Sequence, residues 1–520
     1  MMHIEYSKCV RAGWIAVQLV TILSVARGQN AMVVLPSDQA PEIIKKAANI
    51  VPSPRQFRWQ ELELTAFFHF GINTFTDREW GDGKEDLSLF DPKHLDVRQW
   101  IRIAKEAGIR QVILTAKHHD GFCLWPSKYT DHTIAHTPYK GGHGDIVKEF
   151  ADACREYGMG MGIYLSPWDR NSPAYGDSAK YNELFLHWLT ELLTNYGRVD
   201  EVWFDGANGE GPNGKKQVYA FQSWYHLIRK LQPQAVIAIM GPDVRWVGTE
   251  SGQGRLTEWS VLPINAREQE SVASNSQKDQ TFVPLGDLTD QDLGSRKQLM
   301  QARGLIWYPA ETDVSIRPGW FYHAREDSRV RSPANLLDLY FSSVGRNSVL
   351  LLNIPPDRDG LISGADMRSL KGWRKDMVAT FGVNFARGAA VRGGLGIRWA
   401  KDEQDRVETG TGAMADGNKD TYWTTAGKDT TATVEIGLKK TTTFDVLALQ
   451  EEIRVGQRIE SFALDARVRG EWKEIASGTT VGYKRLVRFS PVTTDAVRLR
   501  ILSSRLNPTV AELGLYKLSE

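Results

Sequence analysis

Cysteine is nearly missing: the chain of 520 residues has only Cys9, Cys123 and Cys154. So few thiols cannot build a disulfide framework, and their spacing matches no zinc ligand set. Cys123 and Cys154 are expected as buried thiols in a core large enough to need no covalent staple. An excess of either charge is also missing. The formal net charge is +1 with no basic block, which disfavours nucleic acid and anionic membrane surfaces as partners. Beyond the N-terminus no segment is long and apolar enough to span a bilayer. No glycine-rich phosphate loop follows the first strand-like run, which speaks against a doubly wound nucleotide-binding sheet.

The N-terminus carries Lys8 and Arg11, then an apolar run from Trp14 to Val25, then small residues around Ala26 and Gly28. That order predicts a secretory signal peptide over residues 1–28 and an exported protein, periplasmic, at the cell surface or secreted. The alternative is a buried or membrane-anchoring helix. Aromatics are plentiful, with 17 Trp, 16 Tyr and 19 Phe. Tryptophans at pocket walls stack on the apolar faces of sugar rings, and core packing uses them equally well.

Residues 29–54 read as a polar lead-in containing Pro36, Pro41, Pro52 and Pro54. From 55 to 381, strand-like and helix-like runs alternate. Strands are expected at Leu64 to Gly71, Gln111 to Ala116, Met159 to Leu165, Asp200 to Phe204, Ala235 to Met240, Leu305 to Tyr308 and Val349 to Asn353. Helices are expected at Val97 to Ala107, Ile146 to Tyr157, Tyr181 to Tyr196 and Val218 to Leu231. Parallel strands need crossover helices, so the pattern predicts an α/β domain. Polar residues after several strands suit the ring of loops at the mouth of a (β/α)8-like barrel. Arg267 to Gly294 reads as a long loop over that mouth. From 382 to 520 the helical period gives way to short β-type runs separated by turns, which predicts an antiparallel β-sandwich.

Several expected strands end on chemistry. Val199-Asp-Glu-Val-Trp-Phe-Asp205-Gly206 delivers one carboxylate to a glycine turn, either as a nucleophile or as the N-cap of the next helix. The first strand ends at His69, another at Tyr164. His118-His119 follows a third, and adjacent histidines share a pocket only where a strand has ended. The pair suits a metal, with Asp205 as a further ligand, or hydrogen bonds to sugar hydroxyls. Glu79-Trp80 sets a carboxylate beside an aromatic face, a means of gripping a polyhydroxylated ring. Glu250 and Glu258 are alternative proton donors, and Trp320 follows Arg317-Pro-Gly. Glycoside hydrolysis with retention needs two such acids: one attacks the anomeric carbon and the other protonates the leaving oxygen.

Phe67-Phe-His69-Phe-Gly71, Glu79-Trp80, Thr115-Ala-Lys-His118-His119-Asp120-Gly121-Phe122, Gly162-Ile-Tyr164-Leu-Ser and Trp203-Phe-Asp205-Gly206 occur in this order. Together they resemble the α-L-fucosidases of glycoside hydrolase family 29 over roughly residues 55 to 360. The resemblance implies a retaining exo-α-L-fucosidase with Asp205 as nucleophile and no catalytic metal or cofactor. It implies fucose contacts at His69, Glu79, Trp80, His118, His119, Tyr164 and Trp320. Trp246-Val-Gly-Thr-Glu250, with Arg255 and Glu258-Trp259, resembles the branch that prefers α-1,3 and α-1,4 linkages in Lewis-type glycans, which favours Glu250 as acid/base. The implied partners are fucosylated oligosaccharides or glycoprotein glycans. Met414-Ala-Asp416-Gly417-Asn-Lys-Asp420-Thr-Tyr-Trp423 resembles discoidin or galactose-binding-like modules. Its acidic turn is expected to hold a structural Ca²⁺ or to be an Asx-turn alone, and the module to brace the barrel, with glycan binding as the alternative. The competing readings are a metal-dependent barrel hydrolase using His118, His119 and Asp205, and a non-catalytic glycan-binding barrel.

Overall fold

The computed structural model describes residues 29–264, 292–401 and 405–519. The signal peptide expected over residues 1–28, and most of the loop expected from Arg267 to Gly294, lie outside the described residues.

Eight strands, all parallel, form the central sheet. In chain order they are β1 (Leu64–Phe68), β2 (Gln111–Lys117), β3 (Gly160–Leu165), β4 (Glu201–Phe204), β5 (Val236–Ile239), β6 (Arg245–Trp246), β7 (Ala310–Ser315) and β8 (Ser348–Asn353). Their spatial order is β5-β4-β3-β2-β1-β8-β7-β6. The sheet thus curls until β5 and β6 lie side by side without pairing, giving a (β/α)8-like barrel with one open seam. Every residue of β1, β2, β7 and β8 is buried, as expected of parallel strands covered on both faces.

The first two crossover helices, α1 (Val97–Ala107) and α2 (Ile146–Tyr157), have the limits read from the sequence. Each starts on an aspartate, Asp96 or Asp145, whose carboxylate accepts a first-turn N–H. Each ends on a left-handed glycine, Gly108 or Gly158. α3 (Ser178–Asn195) starts earlier than its apolar period suggests, because Asp177 caps it. α4 (Phe221–Leu231) starts later than expected. α5 (Pro333–Ser342) and α6 (Gly364–Phe381) follow β7 and β8. No helix joins β5 to β6. Asp243 N donates to Ile237 O (3.3 Å), and the Asp243 carboxylate accepts Ile237 N (2.8 Å) and Arg55 Nε (3.1 Å), which folds the chain back on itself.

One sequence expectation needs correction here. The run Leu305 to Tyr308 is not a barrel strand: Gly304–Trp307 pairs antiparallel with Ala31–Val33 and Val261–Pro263 in a separate three-stranded sheet. The barrel strand in that region is β7, Ala-Glu-Thr-Asp-Val-Ser, whose polar residues hide it from a search for apolar runs. The lead-in is also structured. Its helix Ala40–Asn49 packs Ile43, Ile44 and Ala47 against Val261, Leu305 and Trp307.

After α6 come antiparallel sheets of six and four strands, the β-sandwich. Two of its strands are long: Ala432–Gln450 covers the β-type runs Ala432 to Ile436 and Thr443 to Leu449, and Arg485–Ser504 covers Leu486 to Phe489 and Ala496 to Ile501. They stay continuous across irregularities, as between Gly437 and Thr442. Trp423, Phe444 and Phe462 lie in its own core, while Val446, Ala448 and Leu486 join the apolar cluster of the barrel, so the two domains share a dry contact. Cys123 and Cys154 are buried and unpaired. No helix among the described residues is long and apolar enough to cross a membrane.

Candidate active site

Strand alternation places Glu201, Trp203 and Asp205 on the inward face of β4, stepping up the barrel axis. Asp205 ends the column at the mouth. Its Oδ1 accepts Ala207 N (2.7 Å) and its Oδ2 accepts the Tyr164 hydroxyl (3.1 Å). The first bond is an Asx-turn across Gly206, so Asp205 is not an N-cap; α4 starts much later, after Ala220. Tyr164 sits at the tip of β3, fully buried and stacked on Trp203 (centroids 5.1 Å apart). Burial first, and then the Asp205 charge, push its phenol well above the usual range, so it remains a donor.

The histidines converge on the same pocket. His118 and His119 follow β2, where the register with β3 slips between Thr115 and Lys117, and their ring centroids lie 4.1 Å apart. His119 Nδ1 is 2.7 Å from Ser166 Oγ, which itself donates to Trp168 O (2.7 Å). The hydroxyl proton is thereby used, so Nδ1 carries the imidazole proton and Nε2 keeps a lone pair. Nε2 lies 3.9 Å from Asp205 Oδ2, beyond hydrogen-bond reach. His69, just past β1, has the same arrangement. Asn353 donates through Nδ2 to Ser315 Oγ (2.9 Å) and Trp320 O (2.7 Å), so its Oδ1 accepts from His69 Nδ1 (2.8 Å) and Nε2 is left bare. Desolvation holds His69 down at about 3 and His119 at about 4, and holds His118 well below the usual range. All three rings are thus held neutral, and the bare Nε2 atoms of His69 and His119 can accept hydrogen bonds from hydroxyl groups. His118 Nδ1 is buried without a partner.

Glu250 lies beyond β6, with its Oε2 accepting Trp320 Nε1 (3.1 Å). The residue remains exposed along its outer edge, yet the pocket walls crowd its carboxyl. Desolvation raises it to about 7, and the negative charges of Asp205 and Glu79 add to the rise against the opposing Trp320 bond. Glu258 is elsewhere. It is 1% exposed and ion-paired with Arg245 and with Arg255 (3.2 Å), while its backbone N–H donates to Thr480 of the sandwich (2.9 Å). A carboxylate committed to two guanidinium groups cannot be a proton donor at the mouth.

Glu79 and Trp80 come from the loop after β1. The indole of Trp80 is 48% exposed and meets His119 and Trp168 edge-on (5.6 and 5.5 Å), so an apolar face is open at the rim. Glu79 is more engaged than the sequence implies: its oxygens accept Trp320 N (2.8 Å) and Phe321 N (3.3 Å), and Oε1 lies 2.6 Å from His323 Nε2. Trp320 packs 5.2 Å from His69, between the histidines and Glu250. The structure thus brings together His69, Glu79, Trp80, His118, His119, Tyr164, Asp205, Glu250 and Trp320, and excludes Glu258. Ser166, Asn353 and His323 also serve the site. Of these, only Asn353 stands at the end of a run the sequence marks as a strand.

In the sandwich, Asp416 Oδ1 accepts Asn418 N (2.7 Å), the bond of an Asx-turn, and Oδ2 accepts Thr421 Oγ1 (2.7 Å). A cavity of about 690 Å³ between barrel and sandwich, lined by Arg387, Arg454 and Glu512 among others, lies beside Glu61, near the start of β1 and away from the reacting groups.

A parallel barrel with paired carboxylates and bare imidazoles at the C-terminal ends of its strands has the build of a glycosidase. Residues 41–375 match the Alpha-L-fucosidase family model, and residues 399–513 match the F5/8 type C domain. The chain belongs to the α-L-fucosidase family, glycoside hydrolases that here carry a discoidin-like C-terminal domain. Alpha-L-fucosidase 1 of Arabidopsis thaliana is 43% identical over 95% of this chain and 92% of its own length. The crystal structure of a putative α-L-fucosidase from Bacteroides ovatus is 49% identical with a TM-score of 0.81, covering 94% of this chain and 78% of that one. A Ruminococcus gnavus GH29 fucosidase in complex with fucose is 32% identical with a TM-score of 0.77, covering 90% and 95%.

Proposed function

We infer that this α-L-fucosidase is an exported, retaining exo-enzyme that removes terminal α-1,3- or α-1,4-linked fucose from branched, Lewis-type glycans. The observation that carries the glycosidase reading is the division between two carboxyl groups, while retention rests on the likeness of the motifs around Asp205 to the family. Asp205 is held by two donors at the end of β4, while Glu250 is raised to about 7 nearby. One is prepared to attack and the other to donate a proton.

In the first step an Asp205 oxygen bonds to C1 of fucose. The C1–O bond breaks, its electron pair stays on the leaving oxygen, and that oxygen takes the Glu250 proton. In the second step the Glu250 carboxylate takes a proton from water, whose oxygen bonds to C1 as the ester to Asp205 breaks. The bare Nε2 atoms of His69 and His119 accept sugar hydroxyl protons, with His118, Tyr164, Glu79, Trp80 and Trp320 completing the fucose contacts. Hydrogen bonds that tighten in the transition state raise the rate.

No cofactor takes part in this reading, so chelation leaves turnover unchanged; a loss that added metal restores would favour the His118, His119 and Asp205 metal site instead. The linkage preference rests on the likeness of the sequence around Trp246 to Glu258, and export on the N-terminal sequence. Fucose release from a Lewis-type trisaccharide and from an aryl α-L-fucoside, for wild type, Asp205→Ala and Glu250→Ala, tests the proposal. Trisaccharide turnover that both substitutions abolish supports it. Full activity of Glu250→Ala rejects the acid/base assignment, and a wild type inert on the trisaccharide rejects the linkage. Localisation is read by cell fractionation.

A further inference from the structure

Behind Glu79 lie three residues that the mechanism above does not use: Asp77, His323 and Arg325. His323 is 2% exposed, and carboxylates meet both of its ring nitrogens: Asp77 Oδ1 lies 2.5 Å from Nδ1 and Glu79 Oε1 lies 2.6 Å from Nε2. A neutral imidazole has one N–H and an ionised carboxylate has none. Two hydrogen bonds therefore require one further proton, held on the ring or on one carboxyl, so the three side chains act as a single unit. Arg325 completes it by donating to Asp77 Oδ2 (2.6 Å).

The other side of this unit grips the loop after β7. Glu79 Oε2 accepts Trp320 N (2.8 Å) and Oε1 also accepts Phe321 N (3.3 Å). Gly319 permits the approach, because a Cβ there would come within 2.4 Å of Glu79 Oε1. From the pinned backbone the Trp320 indole reaches forward, and its Nε1 donates to Glu250 Oε2 (3.1 Å). A continuous path of hydrogen bonds thus runs from Asp77 through His323, Glu79 and Trp320 to Glu250.

We propose that Asp77 and His323 are positioning residues for proton donation: they fix Glu79, which holds Trp320 so that its indole N–H aims the Glu250 carboxyl at the departing oxygen. The proposal rests on Glu250 being the general acid. Neither residue touches the sugar in this scheme. Both act through the loop, so their effect follows how much the leaving group needs a proton.

The test uses two substrates with opposite needs. A dinitrophenyl α-L-fucoside loses a stable phenolate unaided, whereas a Lewis-type trisaccharide expels an alkoxide that must be protonated. For His323→Phe and Asp77→Asn, kcat/KM on the trisaccharide falls at least about tenfold and on the dinitrophenyl fucoside less than about twofold, a part of the full worth of a general acid. Glu250→Gln must show the same split more strongly. If it does and the cluster variants lower both substrates equally, or neither, the positioning role is overturned. If Glu250→Gln lowers both equally, the acid assignment fails instead. The Asp77 side chain is 48% exposed, so Asp77→Asn keeps the test open even where His323→Phe does not fold.

Discussion

Trp320 Nε1 donates to Glu250 Oε2 across 3.1 Å, joining the loop after β7 to the loop after β6 directly over the pocket. The bond favours the ionised carboxylate and lowers the Glu250 pKa, against desolvation and the charges of Asp205 and Glu79 that raise it to about 7. A general acid must be protonated, so kcat/KM falls as pH rises through about 7. Trp320→Phe removes the opposing bond and moves this alkaline limb upward, while Glu250→Gln abolishes it. A pH–rate profile of the three proteins checks both shifts. A Trp320→Phe limb displaced downward contradicts the arrangement.

Glu201 gives a test of stability. Its Oε2 accepts Trp59 Nε1 (3.2 Å) and Gln111 Nε2 (2.5 Å), while Oε1 is buried without a partner. Burial raises the carboxyl to about 8, far above its unfolded value near 4.5. The native state therefore binds more protons than the unfolded state between these limits, and stability falls as pH rises through that window. Glu201→Gln cannot ionise. Its melting temperature relative to wild type should thus increase from pH 5 to pH 8, and a difference independent of pH would contradict the burial argument.

Glu258→Gln should unfold more readily without losing its chemistry. The substitution leaves Arg245 and Arg255 buried beside a neutral amide, a loss of about 3–5 kcal/mol for a broken buried pair. Denaturant midpoints report the loss. In the same preparation kcat stays within about twofold of wild type, since Glu258 is remote from the pocket. A large fall in kcat at full folding would restore it as a proton-donor candidate.

What could be read in the sequence follows from how local each signal is. Asp205 stands out because an apolar run stops at it and a glycine follows, and His118-His119 because the pair closes such a run. Glu250 and Glu258 look alike in sequence, both loop carboxylates near a tryptophan; only burial against two arginines separates them. β6 is two residues long and has no period to detect. β7 carries Glu311 and Asp313, which take bonds from partners far off in the chain: Trp203 Nε1 donates to Glu311 (2.7 Å) and Trp246 Nε1 to Asp313 (2.8 Å). His323 gives no signal at all, since the Asp77 it meets is 246 positions away.

The open seam gives the strands that carry Asp205 and Glu250 different standing in the sheet. β4 is bonded to a neighbour on each edge, so the attacking carboxylate belongs to the unbroken arc of the barrel, together with the histidines. β6 borders the seam, pairs only with β7 and leads into the excursion that bears Glu250. Under the proposed mechanism, a change in the loop that bears Glu250 therefore alters the meeting with the departing sugar and leaves the bonded neighbours of β4 in place.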